Sequence, residues 1–217
     1  MEPLDAKCLM PDAKPLFAET ITRSDTTTLV KLTLFVGVLG HTAYLIAGLF
    51  LGYLGANPVE AITHITGNWA LYFLMATLAV TPVRKLLKWK AAAKLRRALG
   101  LWSFYYLLLH FLTYITFDHF FSLESIIDDV IKRPYITVGF LAFLIMLPLA
   151  ATSFKRAIKI LGKRWQLLHR SVYLVAILAI IHYLWLVKAD ITQPIIYGAI
   201  VGFLLGLRCY WWQKKKA

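Results

Sequence analysis

Charge is scarce in this sequence, and so is cysteine. Only 16% of its 217 residues are Asp, Glu, Lys or Arg, against about 25% in an ordinary soluble domain. Hydrophobic residues make up 59% and the mean hydropathy is +0.66. Too few polar residues remain to wet the surface of a soluble fold of this length. The two cysteines, Cys8 and Cys209, stand at opposite ends, and neither belongs to a C-x-x-C or C-x-x-C-H motif. A zinc site, covalently attached haem and a disulfide are therefore not expected. No G-x-G-x-x-G fingerprint is present, nor any internal repeat or low-complexity tract. Residues 1–28 are polar and mixed in charge without an early apolar core, so no cleavable signal peptide is expected there.

What the sequence has instead is long apolar runs. A helix crossing a hydrocarbon core of about 30 Å needs roughly 20 apolar residues. Six stretches come close: residues 29–54, 67–83, 98–117, 135–152, 167–187 and 194–212. In lipid the backbone must satisfy its own hydrogen bonds, so each run is predicted to be helical. The expected fold is an all-α, polytopic bundle of six transmembrane helices. Residues 1–28 form a mostly disordered cytoplasmic tail in this reading, residues 29–212 the membrane domain and residues 213–217 a basic tail. Pro82, Pro134 and Pro194 fall near predicted helix ends, where proline costs little. A weak amphipathic pattern over residues 123–131 predicts a short surface helix.

The formal net charge of +13 invites a nucleic-acid reading. Its distribution argues against one. Basic residues cluster between the second and third runs (Arg84, Lys85, Lys88, Lys90, Lys94, Arg96, Arg97), between the fourth and fifth (Lys155, Arg156, Lys159, Lys163, Arg164), and near both termini. The opposite loops hold only Lys132, Arg133 and Lys188. The positive-inside rule then places both termini in the cytoplasm. Trp69, Trp102, Trp185, Trp211 and Trp212 are read as interfacial anchors.

Ionisable residues inside a membrane are costly and tend to be functional. His110 lies in the third run; His169 and His182 lie in the fifth. Both runs start on the basic side, so His110 and His182 come out at similar depth toward the other side. They are placed to ligate one haem iron from opposite faces. His169, thirteen residues before His182, is about 20 Å deeper, the spacing of a second, inner haem. No histidine matches it on the third run. Arg96 or Arg97 stands at that depth and suits a haem propionate better than the iron, because guanidinium stays protonated. Thirteen residues do not return a side chain to the same helix face, so helix tilt or a local distortion would have to correct the facing of His169 and His182. His41, within Gly37-x-x-Gly40-His41, reads as a packing residue. His64 is either a loop or cap residue or lines an outer haem or quinone pocket. His119 is expected to be solvated.

At these residues the chain resembles the MsrQ (YedZ) family of the ferric-reductase-like transmembrane superfamily. The resemblance rests on His64-x-Thr66-Gly67, Arg96-Arg97-x-Leu99-Gly100-Leu101-Trp102, Leu109-His110, Arg133-Pro134-Tyr135, Leu161-Gly162-Lys163-x-Trp165, Leu168-His169, and the run from Val172 to Leu178 with its continuation Ile181-His182-Tyr183-Leu184-Trp185. It covers roughly residues 30–210. It implies a b-haem subunit of the bacterial inner membrane carrying one or two haems. It also implies electrons drawn from membrane quinol or a flavin reductase and passed to MsrP, a periplasmic molybdopterin subunit that reduces oxidised methionine in proteins. FMN is implied by the resemblance alone, since no flavin motif is visible. Larger superfamily relatives pair histidines at both haems, and arginine at the inner position departs from that pattern.

No catalytic residues for sulfoxide chemistry are visible, so that chemistry is expected on the partner. No flavin and nicotinamide domain is expected beyond the sixth run. Two other readings remain: a haem-dependent transmembrane metal reductase, and a proton channel or transporter using His110, His169 and His182 as a relay.

Overall fold

The computed structural model describes residues 16–187 and 190–216, with side chains described from 26 to 187 and from 190 to 214. Among these residues there is helix and no strand. The helices are α1 (Leu16–Leu51), α2 (Pro58–Leu86), α3 (Arg96–Thr113), α4 (Leu123–Lys132), α5 (Pro134–Ala151), α6 (Lys155–Leu161), α7 (Lys163–Arg170), α8 (Val172–Leu186) and α9 (Thr192–Lys216). A 3-10 turn over Lys90–Lys94 precedes α3, and a π-helical turn over Tyr114–Asp118 follows it. Helix α1 begins at Leu16, inside the segment that the sequence assigns to the tail.

Five helical segments are long and apolar enough to cross a membrane: Thr26–Leu51, Arg96–Asp118, Pro134–Ala151, Lys163–Leu186 and Thr192–Lys214. The sixth expected span, α2, is 29 residues long but does not reach the same hydropathy. Its position in the bundle explains this. Thr66, Leu71, Leu74, Thr77 and Leu78 of α2 are all buried, in contact with α3, α8 and α9. A helix covered by other helices need not be apolar all round. Its threonines bond back to carbonyls one turn earlier, as Thr66 does to Ile62 (2.7 Å) and Thr77 to Phe73 (2.8 Å).

The main core joins α2, α5, α8 and α9 through Leu74, Leu78, Met146, Val175, Ala176 and Val201. A second cluster joins α1, α2 and α3 through Val38, Phe73 and Tyr106. The two ends of the bundle differ in charge. Glu60, Asp118, Asp128, Asp129 and Asp190 mark an acidic end, and the loops flanking the 3-10 turn and α6 mark a basic end.

Helices α7 and α8 form one apolar segment broken at Ser171, whose amide bonds to Leu168 at 3.1 Å, a tighter turn than an α-helix makes. That distortion lies between His169 and His182. Pro82, expected at a helix end, lies inside α2. It has no N–H to offer Leu78 one turn earlier; the Arg208 guanidinium donates to that carbonyl instead, at 2.6 Å.

Candidate functional site

His110 on α3 and His182 on α8 meet at the wall of one cavity of about 610 Å³, within the range of small-molecule and cofactor sites (about 300–1,000 Å³). Their ring centres are 6.3 Å apart and their planes 78° apart. Each ring is held the same way. His110 Nδ1 lies 2.8 Å from the Thr63 carbonyl of α2, and His182 Nδ1 lies 2.7 Å from the Tyr135 carbonyl of α5. A carbonyl only accepts, so both Nδ1 atoms carry the proton. Each neutral ring is left with its Nε2 lone pair free, the tautomer that binds a metal.

A glycine makes each of these bonds reachable. Gly67 lies four residues after Thr63, and Gly139 four after Tyr135. Helical side chains lean toward the N-terminus, so a Cβ at these positions would cover the carbonyl one turn earlier. A methyl at 67 would lie 3.1 Å from His110 Nδ1; one at 139 would lie 2.7 Å from His182 Nδ1. The imidazoles occupy that space.

The residues fit a haem iron. An imidazole nitrogen lies about 2 Å from a bound metal and about 1 Å from its own ring centre, so two rings flanking one metal have centres about 6 Å apart. The observed spacing is 6.3 Å. Apolar side chains, among them Leu71, Leu107, Phe143 and Met146, line the rest of the wall.

The cavity's acidic end carries a polar cluster that the sequence does not announce. The Asp129 carboxylate of α4 accepts from Arg133 Nε (2.8 Å), the Tyr114 hydroxyl (3.1 Å) and His119 Nε2 (3.2 Å). The other His119 nitrogen bonds to the Ser125 hydroxyl at 2.7 Å. The His119 side chain is only 9% exposed, which corrects the expectation that it is solvated. The π turn and the return of α4 over the bundle enclose it. The Tyr135 hydroxyl and the Asp129 carboxylate push the Arg133 guanidinium above its ordinary pKa.

Asp129→Asn removes the charge that these donors share. It is expected to destabilise the fold by about 2 kcal/mol, the range for hydrogen bonds to a charged group. Asp129 bonds neither His110 nor His182, so the arrangement of that pair should survive. Thermal melting of the variant measures the first effect, and an unchanged melting temperature would refute it.

His64 lines the same cavity near His110 and stands 3.8 Å from Glu60. His169, Arg96 and Arg97 are not in its wall. The His169 ring stacks on Trp165 at 4.0 Å, and its Nε2 lies 3.1 Å from the Thr152 hydroxyl. That hydroxyl donates its one proton to Pro148, so His169 Nε2 is the donor and Nδ1 keeps the open lone pair. Arg96 and Arg97 sit exposed in the first turn of α3. His41 shares a 2.8 Å hydrogen bond with the Tyr106 hydroxyl and packs against Trp69, whose ring centre is 5.0 Å away. Tyr106 and Trp69 belong to the second core cluster, so Trp69 is a packing residue as well as an aromatic of the span.

Sequence reasoning missed Gly139, the Asp129 cluster and Arg208. Arg133 is visible only as a loop charge and part of a motif, and Tyr135 only as part of that motif. The one signal that could have found Gly139 is its place four residues after Tyr135, in a helix facing His182.

The family of the ferric reductase like transmembrane component matches residues 66–180. The chain is 51% identical to the protein-methionine-sulfoxide reductase heme-binding subunit MsrQ of Herminiimonas arsenicoxydans, over 87% of this chain and 88% of that one. It is 51% identical to the protein of the same name from Azospira oryzae, over 82% and 78% of the two chains. With that of Bordetella parapertussis the identity is 44%, over 94% and 98%. No solved structure matches the chain at a significant level.

Proposed function

This chain belongs to the ferric-reductase-like transmembrane family, among the MsrQ haem-binding subunits, and on that premise we propose that it carries electrons through the bacterial inner membrane to a methionine sulfoxide reductase partner. The observation that carries this reading is the matched pair His110 and His182, each with Nδ1 tied to a backbone carbonyl and Nε2 free at one apolar cavity. Bound there, b-type haem supplies one-electron chemistry at a potential set by its axial ligands and surroundings.

The protein's own part is to fix and insulate. Thr63 and Tyr135 set the tautomers and ring orientations. Carbonyl acceptors behind metal-bound imidazoles raise their basicity. The apolar wall keeps the dielectric low, and the Asp129 cluster closes the acidic end with its polar groups paired. In the proposed topology six helices span the membrane with both termini cytoplasmic, so the cavity lies toward the periplasm. Membrane quinol or a flavin reductase donates the electrons, and the periplasmic molybdopterin subunit MsrP accepts them. His169 marks a second, inner haem in this proposal, bound through Nδ1 or after its Nε2 leaves Thr152. Family members' FMN is assigned no residue.

A proton relay through His110, His182 and His169 is the weaker reading, because His169 donates to Thr152 and lies outside the shared cavity. The deciding experiment reduces the purified protein and follows its b-type absorbance. Reoxidation by MsrP with oxidised methionine is the expected result. Reoxidation by ferric chelates alone would make the protein a metal reductase, and a colourless, folded protein would end the electron-transfer proposal.

A further inference from the structure

Arg208 lies in the last third of α9, at the basic end, just before Tyr210, Trp211 and Trp212. Part of its role is structural. Nη2 donates to the Leu78 carbonyl that Pro82 leaves without a partner, and to Thr81 Oγ1 at 3.2 Å. The guanidinium also lies over the Tyr173 ring, 4.9 Å from its centre. Tyr173 also supports the guanidinium electrostatically, but Nε and Nη1 are buried and have no hydrogen-bond partner within 3.5 Å.

Such a group is costly as it stands. Guanidinium stays protonated in proteins, and a buried charge without a counterion is strongly destabilising. Among the residues with described side chains, every carboxylate (Glu60, Asp118, Glu124, Asp128, Asp129 and Asp190) belongs to the acidic end or its loops, and none of them pairs with Arg208. What stands nearby is more positive charge: Arg96 lies within Coulomb range of both Arg208 and His169. His169 precedes Tyr173 by one helical turn's spacing, and the Arg208 guanidinium lies over Tyr173.

We infer that the basic end of the bundle binds the carboxylate or phosphate group of an amphiphile, with the unpaired Arg208 donors as its buried anchor and Arg96 adding positive field. Guanidinium is the side chain best suited to such oxygens. The ligand is an amphiphile because the donors lie among apolar spans, at the depth of a tryptophan-rich interface. Two sources share this chemistry: a haem propionate, with His169 close by, and a lipid phosphate. The site is separate from the His110 and His182 cavity, whose wall contains none of Arg208, Arg96 and His169. The propionate source rests on the inner haem proposed at His169; failure of the inference would leave the proposed electron transfer through His110 and His182 standing.

The test starts with the unaltered protein, exchanged into a neutral, phosphate-free detergent. Native mass spectrometry is expected to show a tightly held anionic amphiphile, either a phospholipid or a haem beyond the one that His110→Ala removes. Finding neither overturns the inference. Two variants then assign it to Arg208. Arg208→Lys keeps the charge and a donor for Leu78 but loses the planar donors, while Arg208→Gln loses the charge as well. Both are expected to weaken retention of the amphiphile at least tenfold, a Gln effect no smaller than the Lys effect. A fall in haem with phosphorus unchanged identifies the propionate; a fall in phosphorus with haem unchanged identifies the lipid. Folded variants with both quantities at the native level would show that Arg208 only caps the Leu78 carbonyl.

Discussion

His110→Ala and His182→Ala each give a folded protein that has lost its cavity haem, while His169→Ala keeps it. The loss is expected to exceed a hundredfold in haem affinity, since removing even the second-shell partner of a metal-bound histidine costs about 10–100-fold. The fold should survive both changes. Neither imidazole belongs to the two core clusters, each gives up one hydrogen bond worth about 1 kcal/mol, and alanine is the best helix former. His64→Ala serves as a further control: its side chain is 46% exposed and paired with Glu60 rather than with a backbone carbonyl. Reduced-minus-oxidised spectra with haem quantitation read all four variants. Full haem in either of the first two would remove the basis for the proposed function. Loss of all haem in His169→Ala would move the electron-carrying site to the basic end.

The meeting of these two histidines is legible in the sequence because depth is. A bilayer forces helices of fixed rise per residue, so counting from a basic loop locates a side chain along the membrane normal. Rotation about the helix axis is not legible in that way. Ser171 breaks the segment between His169 and His182, and no residue type at that position announces it. The hydropathy of α2 is set by its neighbours in a related way. Its threonines and Asn68 lower its hydropathy, yet they are polar because α2 is surrounded by helices, which is a property of the bundle and not of the segment. Pro82 reads as a terminator until Arg208, 126 positions away in the sequence, supplies the missing donor. His119 reads as a solvated loop residue because its partner Asp129 is brought over it only when α4 folds back. In each case the hidden information is which element faces which.

Gly139 shows what such facing demands, and Gly139→Ala is expected to lower haem affinity about 10–100-fold by the loss of imidazole orientation. The added Cβ would lie 2.7 Å from His182 Nδ1 and 2.9 Å from Cε1, closer than non-bonded atoms approach, so the ring must move. It cannot slide along α5 without leaving the Tyr135 carbonyl, because the same methyl lies over that carbonyl. Gly67→Ala places its Cβ 3.1 and 3.2 Å from the corresponding His110 atoms. A shift of a few tenths of an ångström relieves that contact, so its effect should stay below about tenfold on the same scale. Stability should rise in Gly67→Ala, since alanine favours a helix interior by about 1 kcal/mol over glycine, whereas in Gly139→Ala the lost imidazole hydrogen bond, also about 1 kcal/mol, offsets that gain. Haem titration of the two proteins, with melting temperatures measured in parallel, tests the ordering. A smaller loss at 139 than at 67 would mean that something other than the fit of His182 against α5 governs the site.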